Sequence, residues 1–200
     1  MKIIVIPKII IRHKNQIEFA VESKLIKFLK NCFKNCLIDI SCNFEFKKKY
    51  NLVILSGGNS ILKFSKKKND IYRSKFDEYF FKKAIQTRTP IIGICHGGHF
   101  IAMKNKLKVT KDASHVGSHK LKNLSKINIK FNFVKSYHNF KIDFSESKYI
   151  QKLILANDES IECFRVRNKK IGGVIWHPER ETKGIKKQIN FFKSFYSYIK

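Results

Sequence analysis

Five cysteines are spread through the 200 residues with no Cys-x-x-Cys pair, and an odd number cannot close a full set of disulfides. That excludes a small disulfide-stapled scaffold, which a chain long enough to bury its own core does not need. No His-Glu-x-x-His frame is present either. Cys95, His96, His99, His115 and His119 offer zinc-binding groups, and the His115/His119 spacing fits one face of a helix or of a strand, but without such a frame no metal and no cofactor is expected. No apolar run approaches the length that crosses a bilayer, and Lys8 and Arg12 interrupt the apolar stretch near Met1. A signal peptide and a membrane partner are therefore not expected, and a reduced cytoplasm is the natural home. Repeats and linkers are missing too, so residues 1–200 read as a single domain.

Acid is scarce: 15 Asp and Glu stand against 42 Lys and Arg, a formal charge of +27. Such an excess raises nucleic-acid binding as a function. Most of it is lysine, scattered along the chain rather than gathered on one recognition helix. It accompanies abundant Ile, Asn and Phe, residues that A/T-rich codons also specify. Dedicated nucleic-acid binding is therefore not the expected role, whereas a phosphate-bearing substrate agrees with the same charge.

What the sequence does contain centres on Ile91-Ile92-Gly93-Ile94-Cys95-His96-Gly97-Gly98-His99-Phe100. A short branched apolar run predicts a buried parallel strand. Small residues then surround Cys95, and residues 98–103 suit a helix start. A thiol on a sharp strand-to-helix turn is a nucleophile elbow, and glycines at 93 and 97 suit a bend with no room for Cβ atoms. At a helix N-terminus the macrodipole favours the thiolate.

Along the chain, residues 2–7, 36–40 and 51–55 read as strands, and residues 16–31 and 72–86 as amphipathic helices. Residues 107–143 read as short strands and turns. A hairpin spans residues 162–167 and 171–176, and a helix over 184–198 closes the chain. Alternating strands and helices predict an α/β fold with a mostly parallel central sheet flanked by helices and a small antiparallel β insertion.

A cysteine nucleophile needs a base, a group to orient that base, and donors for the oxyanion. His177 ends an apolar strand and supplies the base. Pro178 holds it extended, so Glu179 projects to the same side and can hold the far imidazole nitrogen. The backbone amides of Gly57 and Gly58, just beyond a buried strand, and of His96, just after the thiol, are the candidate oxyanion donors.

Leu55-Ser56-Gly57-Gly58-Asn59, Gly93-Ile94-Cys95-His96-Gly97-Gly98-His99 and Gly173-Val174-Ile175-Trp176-His177-Pro178-Glu179 occur in the order of the class I glutamine amidotransferase motifs, and the chain resembles that family in its γ-glutamyl hydrolase branch. The resemblance implies a single-domain flavodoxin-like fold and a Cys95–His177–Glu179 triad that attacks a γ-glutamyl amide through a thioester. Tyr72-Arg73, Ser136-Tyr137-His138-Asn139 and Trp176–Glu181 are most similar to the γ-glutamyl-CDP-amidate hydrolases, which make cytidine diphosphoramidate for capsule modification. A small-molecule γ-glutamyl substrate, nucleotide-linked, is thereby implied, with Ser136, Tyr137, His138 and His99 near it. His99 stands where the family commonly carries a glutamine that contacts the glutamyl group, and its ring can instead turn to Cys95 across one helical turn. Lys63, Lys66, Lys67 and Lys68 follow Gly58 and could reach a diphosphate. Two alternatives remain: a glutaminase component that feeds ammonia to a partner synthase, and a basic nucleic-acid-binding protein on an inactive amidotransferase scaffold.

Overall fold

The computed structural model describes residues 1–13, 16–47, 49–143 and 147–200. In chain order the first half holds β1 (Lys2–Ile6), β2 (Lys8–Ile11), β3 (Ile17–Ala20), α1 (Ser23–Cys32), β4 (Leu37–Ile40), β5 (Leu52–Leu55), α2 (Lys68–Gln86), β6 (Ile91–Ile94) and α3 (His96–Lys104). The second half holds β7 (Val109–Lys111), β8 (Val116–Asn123), β9 (Phe133–Tyr137), β10 (Phe140–Ile142), β11 (Ile150–Ala156), β12 (Ile161–Val166), β13 (Ile171–Val174) and α4 (Ile185–Ile199).

Nine strands form one mixed sheet in the order β4-β1-β5-β6-β13-β12-β11-β8-β9. From β4 to β13 the neighbours are parallel; from β13 to β9 they are antiparallel. Two small antiparallel pairs, β2–β3 and β7–β10, lie outside it. The parallel half is buried on both faces because alternate side chains enter separate cores. Ile4 and Ile6 of β1 point to the face covered by α2 and α3, with Phe76, Phe80 and Ile101. Ile3 and Val5 point to the face covered by α1 and α4, with Phe28, Phe192 and Phe195. No helix among the described residues is long and apolar enough to cross a membrane.

Three local differences from the sequence reading have physical causes. Residues 17–20 do not begin a helix: they pair antiparallel with Lys8–Ile11, and the helix starts only at Ser23. Ile17 and Phe19 fit period two as well as period 3.6, and packing of Phe19 on Phe76 (ring centroids 5.6 Å apart) favours the strand. Helix α2 starts at Lys68, a turn before residue 72. Residues 178–180 form a 3-10 turn rather than an extended segment.

Candidate active site

The register of three adjacent parallel strands assembles the site. Leu55 of β5 pairs with Gly93 of β6, and Ile94 of β6 pairs with Val174 of β13. The residues that follow each strand therefore leave the sheet at one edge, the C-terminal edge where open α/β sheets bind ligands. Cys95 N–H donates to the Val174 carbonyl at 2.8 Å, which ties the elbow directly to the strand that leads to His177.

Cys95 caps α3 with φ 51° and ψ −104°, a strained backbone for a residue with a Cβ. The bend brings the chain back on itself so closely that a Cβ on Gly93 would lie 2.3 Å from the Gly97 carbonyl carbon. Cys95 is nearly buried, 8% exposed, and sits beside the His177 ring: a Cβ on Gly57 would stand 3.1 Å from His177 Nε2 and 3.4 Å from Cys95 Cβ. On the other side of that ring Nδ1 donates to Glu179 Oε1 at 2.6 Å. The 3-10 turn makes this contact as well as an extended segment would, because it folds Glu179 back over the ring two residues behind it. Burial alone would lower the His177 pKa. The thiolate charge of Cys95, the hydrogen bond to it and the Glu179 carboxylate outweigh burial and push the ring up to about 10.

These groups line a cavity of about 470 Å³. Gly57 forms part of its wall, where a Cβ would stand 2.5 Å from His177 Cε1 and 3.4 Å from Cys95 Cβ. Only hydrogen fits there. Gly58 (φ 125°) follows, with the Lys8 stem packed over it. The His96 amide lies in the first turn of α3, whose N–H groups have no acceptor within the helix. His99, Tyr137 and His138 also reach the cavity. His99 Nδ1 donates to the Cys95 carbonyl at 2.9 Å, so the ring braces the elbow across one helical turn. Burial first, then neighbouring imidazoles, hold the pKa of His99 down at about 4 and that of His138 at about 2, so both rings are neutral. Ser136 does not line the cavity. It is buried on the opposite face of β9 from Tyr137, with Oγ 3.5 Å from His119 Nδ1.

The class I glutamine amidotransferase family (Glutamine amidotransferase class-I) matches residues 15–196. The chain belongs to that family. The γ-glutamyl-CDP-amidate hydrolase of Campylobacter jejuni is 33% identical over 182 residues, 86% of this chain and 85% of that protein. The carbamoyl phosphate synthase small chain of Wigglesworthia glossinidia brevipalpis is 28% identical over 122 residues, 58% of this chain but 31% of that protein. Two solved structures share the fold. A glutamine amidotransferase from Thermotoga maritima has a TM-score of 0.71 at 16% identity, covering 99% of this chain and 97% of its own. A putative GMP synthase component from Thermoplasma acidophilum has a TM-score of 0.69 at 20% identity, covering 99% and 95%.

Beneath the glycine loop of this amidotransferase lies a buried polar network that joins Arg73, His96 and Asn59 of the sequence motifs to Asp77, which they do not include. Arg73 of α2 is fully buried and donates to the carbonyls of Pro7 (2.8 Å) and Ser56 (2.6 Å) and to Asp77 Oδ1 (2.9 Å). The second oxygen of Asp77 accepts from His96 Nε2 at 2.8 Å, while His96 Nδ1 donates to the Asn59 carbonyl at 2.9 Å. Burial would raise the Asp77 carboxyl, but the Arg73 charge and the His96 bond reverse that and hold it low. The His96 side chain thus anchors the loop at residues 56–59, and only its amide belongs to the elbow. An Arg-x-x-x-Asp pair one helical turn apart was the available signal.

Nor do the lysines fall where proximity in sequence put them. Lys63 donates to the Val109 carbonyl at 3.1 Å, Lys67 caps α2, and none of Lys63, Lys66, Lys67 and Lys68 lines the cavity. The cations at its mouth are Lys8 and Arg180. Arg180 bonds Glu22 through two nitrogens and lies 5.0 Å from the centroid of Tyr137.

Proposed function

We propose that the chain hydrolyses a γ-glutamyl amide through Cys95, His177 and Glu179. The observation that carries this reading is one cavity that brings together the strained Cys95 elbow, the His177 ring beside it and Glu179 bonded to that ring at 2.6 Å. The thiolate attacks the γ-carbonyl carbon, and the oxyanion is received by the amides of Gly58 and His96, with Gly57 leaving room for the His177 ring. His177, held protonated by its partners, passes its proton to the departing nitrogen. The C–N bond breaks, leaving a γ-glutamyl thioester and the free amine. Water then attacks the thioester with His177 as base, releasing glutamate and restoring the thiol. Glu179 fixes the ring and balances the imidazolium charge.

The leaving group in this proposal is a nucleoside diphosphoramidate, as in γ-glutamyl-CDP-amidate. It is supported by the relative of that name, which matches most of both chains, and by Lys8 and Arg180 at the mouth of a cavity in a chain of charge +27. Tyr137, His138 and His99 line the same cavity. The likeness to a carbamoyl phosphate synthase small chain supports a second reading, in which ammonia from glutamine passes to a partner synthase.

The deciding experiment offers glutamine and γ-glutamyl-CDP-amidate separately to the purified chain and measures glutamate release. Under the proposal kcat/KM for the amidate exceeds that for glutamine by at least about 100-fold, the discrimination expected when a site's polar groups match one leaving group and are unpaired with another. Cys95→Ala abolishes both reactions. Comparable and slow turnover of both, rising only when a synthase is added, favours the second reading. Full turnover by Cys95→Ala ends both.

A further inference from the structure

A second group of titratable side chains lies behind the cavity wall, where the hydrolytic chemistry does not use it. His115 ends a 3-10 turn, His119 sits in β8, Glu162 in β12 and Asp158 in the turn between β11 and β12. One donor atom each from His115, His119 and Glu162 falls within 4.8 Å of the other two. His115 is 3% exposed and Glu162 1%.

The hydrogen bonds identify which atoms are free. His115 Nε2 bonds Asp158 Oδ2 at 2.9 Å, which leaves Nδ1 as the ring nitrogen without a hydrogen bond. That nitrogen faces Glu162 Oε1 at 3.8 Å. Glu162 Oε2 is buried and unpartnered as well. His119 Nδ1 completes the triangle, 3.1 Å from Glu162 Oε1. Buried polar atoms left without a partner cost free energy, and His115 Nδ1 and Glu162 Oε2 are two of them on one cluster. Zinc bonds to nitrogen and oxygen of about 2.0–2.2 Å place tetrahedral ligand atoms roughly 3.3–3.5 Å apart, between the two spacings seen here. Asp158 behind His115 is the carboxylate that fixes the tautomer and orientation of a metal-binding imidazole. Asp112, the other nearby acid, is taken by Lys141 and Ser114.

We propose that His115 Nδ1, His119 Nδ1 and Glu162 hold a zinc ion, with Asp158 orienting His115 and a water completing the tetrahedron. Two imidazoles and a carboxylate suit zinc, and the oxygen-rich shells that calcium and magnesium require are not on offer. A surface cavity lined by Ser118, His119, Lys120 and Asp158 gives the ion a way in. The ion would tie β12 across β11 to β8 of the same sheet, and to the 3-10 turn. The His138 ring lies 5.5 Å from that of His115 and 6.0 Å from that of His119, so the tie also steadies the cavity wall. Its role is structural, since Cys95 and His177 lie in the other cavity.

The test uses the full chain, stripped with EDTA and titrated with zinc and, separately, cobalt(II). One zinc per chain is expected. Melting should rise by about 5–10 °C when free zinc exceeds Kd a hundredfold. Cobalt should give a tetrahedral visible spectrum without a thiolate charge-transfer band, in the unmutated protein and equally in Cys95→Ser. Glu162→Gln and His119→Ala should each weaken binding at least tenfold. The cobalt spectrum of the unmutated chain keeps the proposal testable even if either variant fails to fold. Zinc bound with a thiolate signature and lost in Cys95→Ser would overturn it by placing the metal at the hydrolytic cysteine. No uptake by the stripped chain would overturn it too.

Discussion

At the scale of single residues, the His177 ring carries the sharpest consequences. Its pKa stands at about 10 because the Cys95 thiolate and Glu179 stabilise the imidazolium more than burial penalises it. A group raised on folding contributes stability that is complete below its ordinary value of 6.5 and lost as pH climbs through about 10. Denaturant unfolding across that window should show stability falling with pH, and Cys95→Ala should flatten the fall. Activity should follow the same sign. The imidazolium must give its proton to the leaving nitrogen, so kcat/KM should stay level through neutral pH and drop on the alkaline side, with the apparent pKa belonging to the thiol–imidazole pair. Substitutions should rank accordingly. His177→Asn should be nearly as damaging as Cys95→Ala, while Glu179→Gln, which keeps the shape of the orienting group, should be roughly 50–100-fold milder in kcat. Single-turnover assays of glutamate release measure all three.

At the scale of elements, the part of the site legible in the sequence is the part written in contiguous residues. The elbow over 91–100, the glycine pair after β5 and His-Pro-Glu after β13 each stand as short strings, and strand register then brings them to one edge. Groups dispersed along the chain are not legible in the same way. Glu162 is 43 residues from His119, and only the placement of β12 against the β8–β9 region brings them together. Strand β11 (Ile150–Ala156), which ends at the Asn157-Asp158 turn, has no counterpart in the sequence reading. The β2–β3 hairpin is hidden by an apolar spacing that serves two periods, and it supplies Lys8 and Ile10 to the cavity wall. Arg73 crosslinks the end of β1 at Pro7, the Ser56 turn and α2 in one buried fork. Arg73→Met would leave Asp77 buried with one partner fewer and two carbonyls unpaired. A cost of about 3–5 kcal/mol is expected, the range for breaking a buried ion pair from one side. Calorimetry should register it as a fall in Tm of roughly 10 °C or more. Replacing Lys66, which lies outside the cavity, should leave both stability and activity within error.

At the scale of the whole molecule, the question is what a charge of +27 does for a site with only two cations at its mouth. Neither Lys8 nor Arg180 is buried, and Arg180 is committed to Glu22. Direct pairing with a diphosphate is therefore modest in strength, whereas the summed field of the surface acts on an anion well before contact. Such a field is screened over about 10 Å at 0.1 M salt and over about 30 Å at 0.01 M. Short-range contacts inside the cavity are far less affected. The two contributions separate by experiment. For γ-glutamyl-CDP-amidate, kcat/KM should fall by about tenfold between 0.01 and 0.2 M salt, through KM, with kcat nearly constant. Glutamine carries no net charge and should show no comparable slope. Lys8→Met should raise KM for the amidate several-fold at every salt concentration and parallel the slope of the unmutated chain, because it removes one contact and leaves the field nearly whole. Equal slopes for amidate and glutamine would mean that the lysines of this chain do not guide its substrate, and the phosphate-bearing leaving group would lose its electrostatic support.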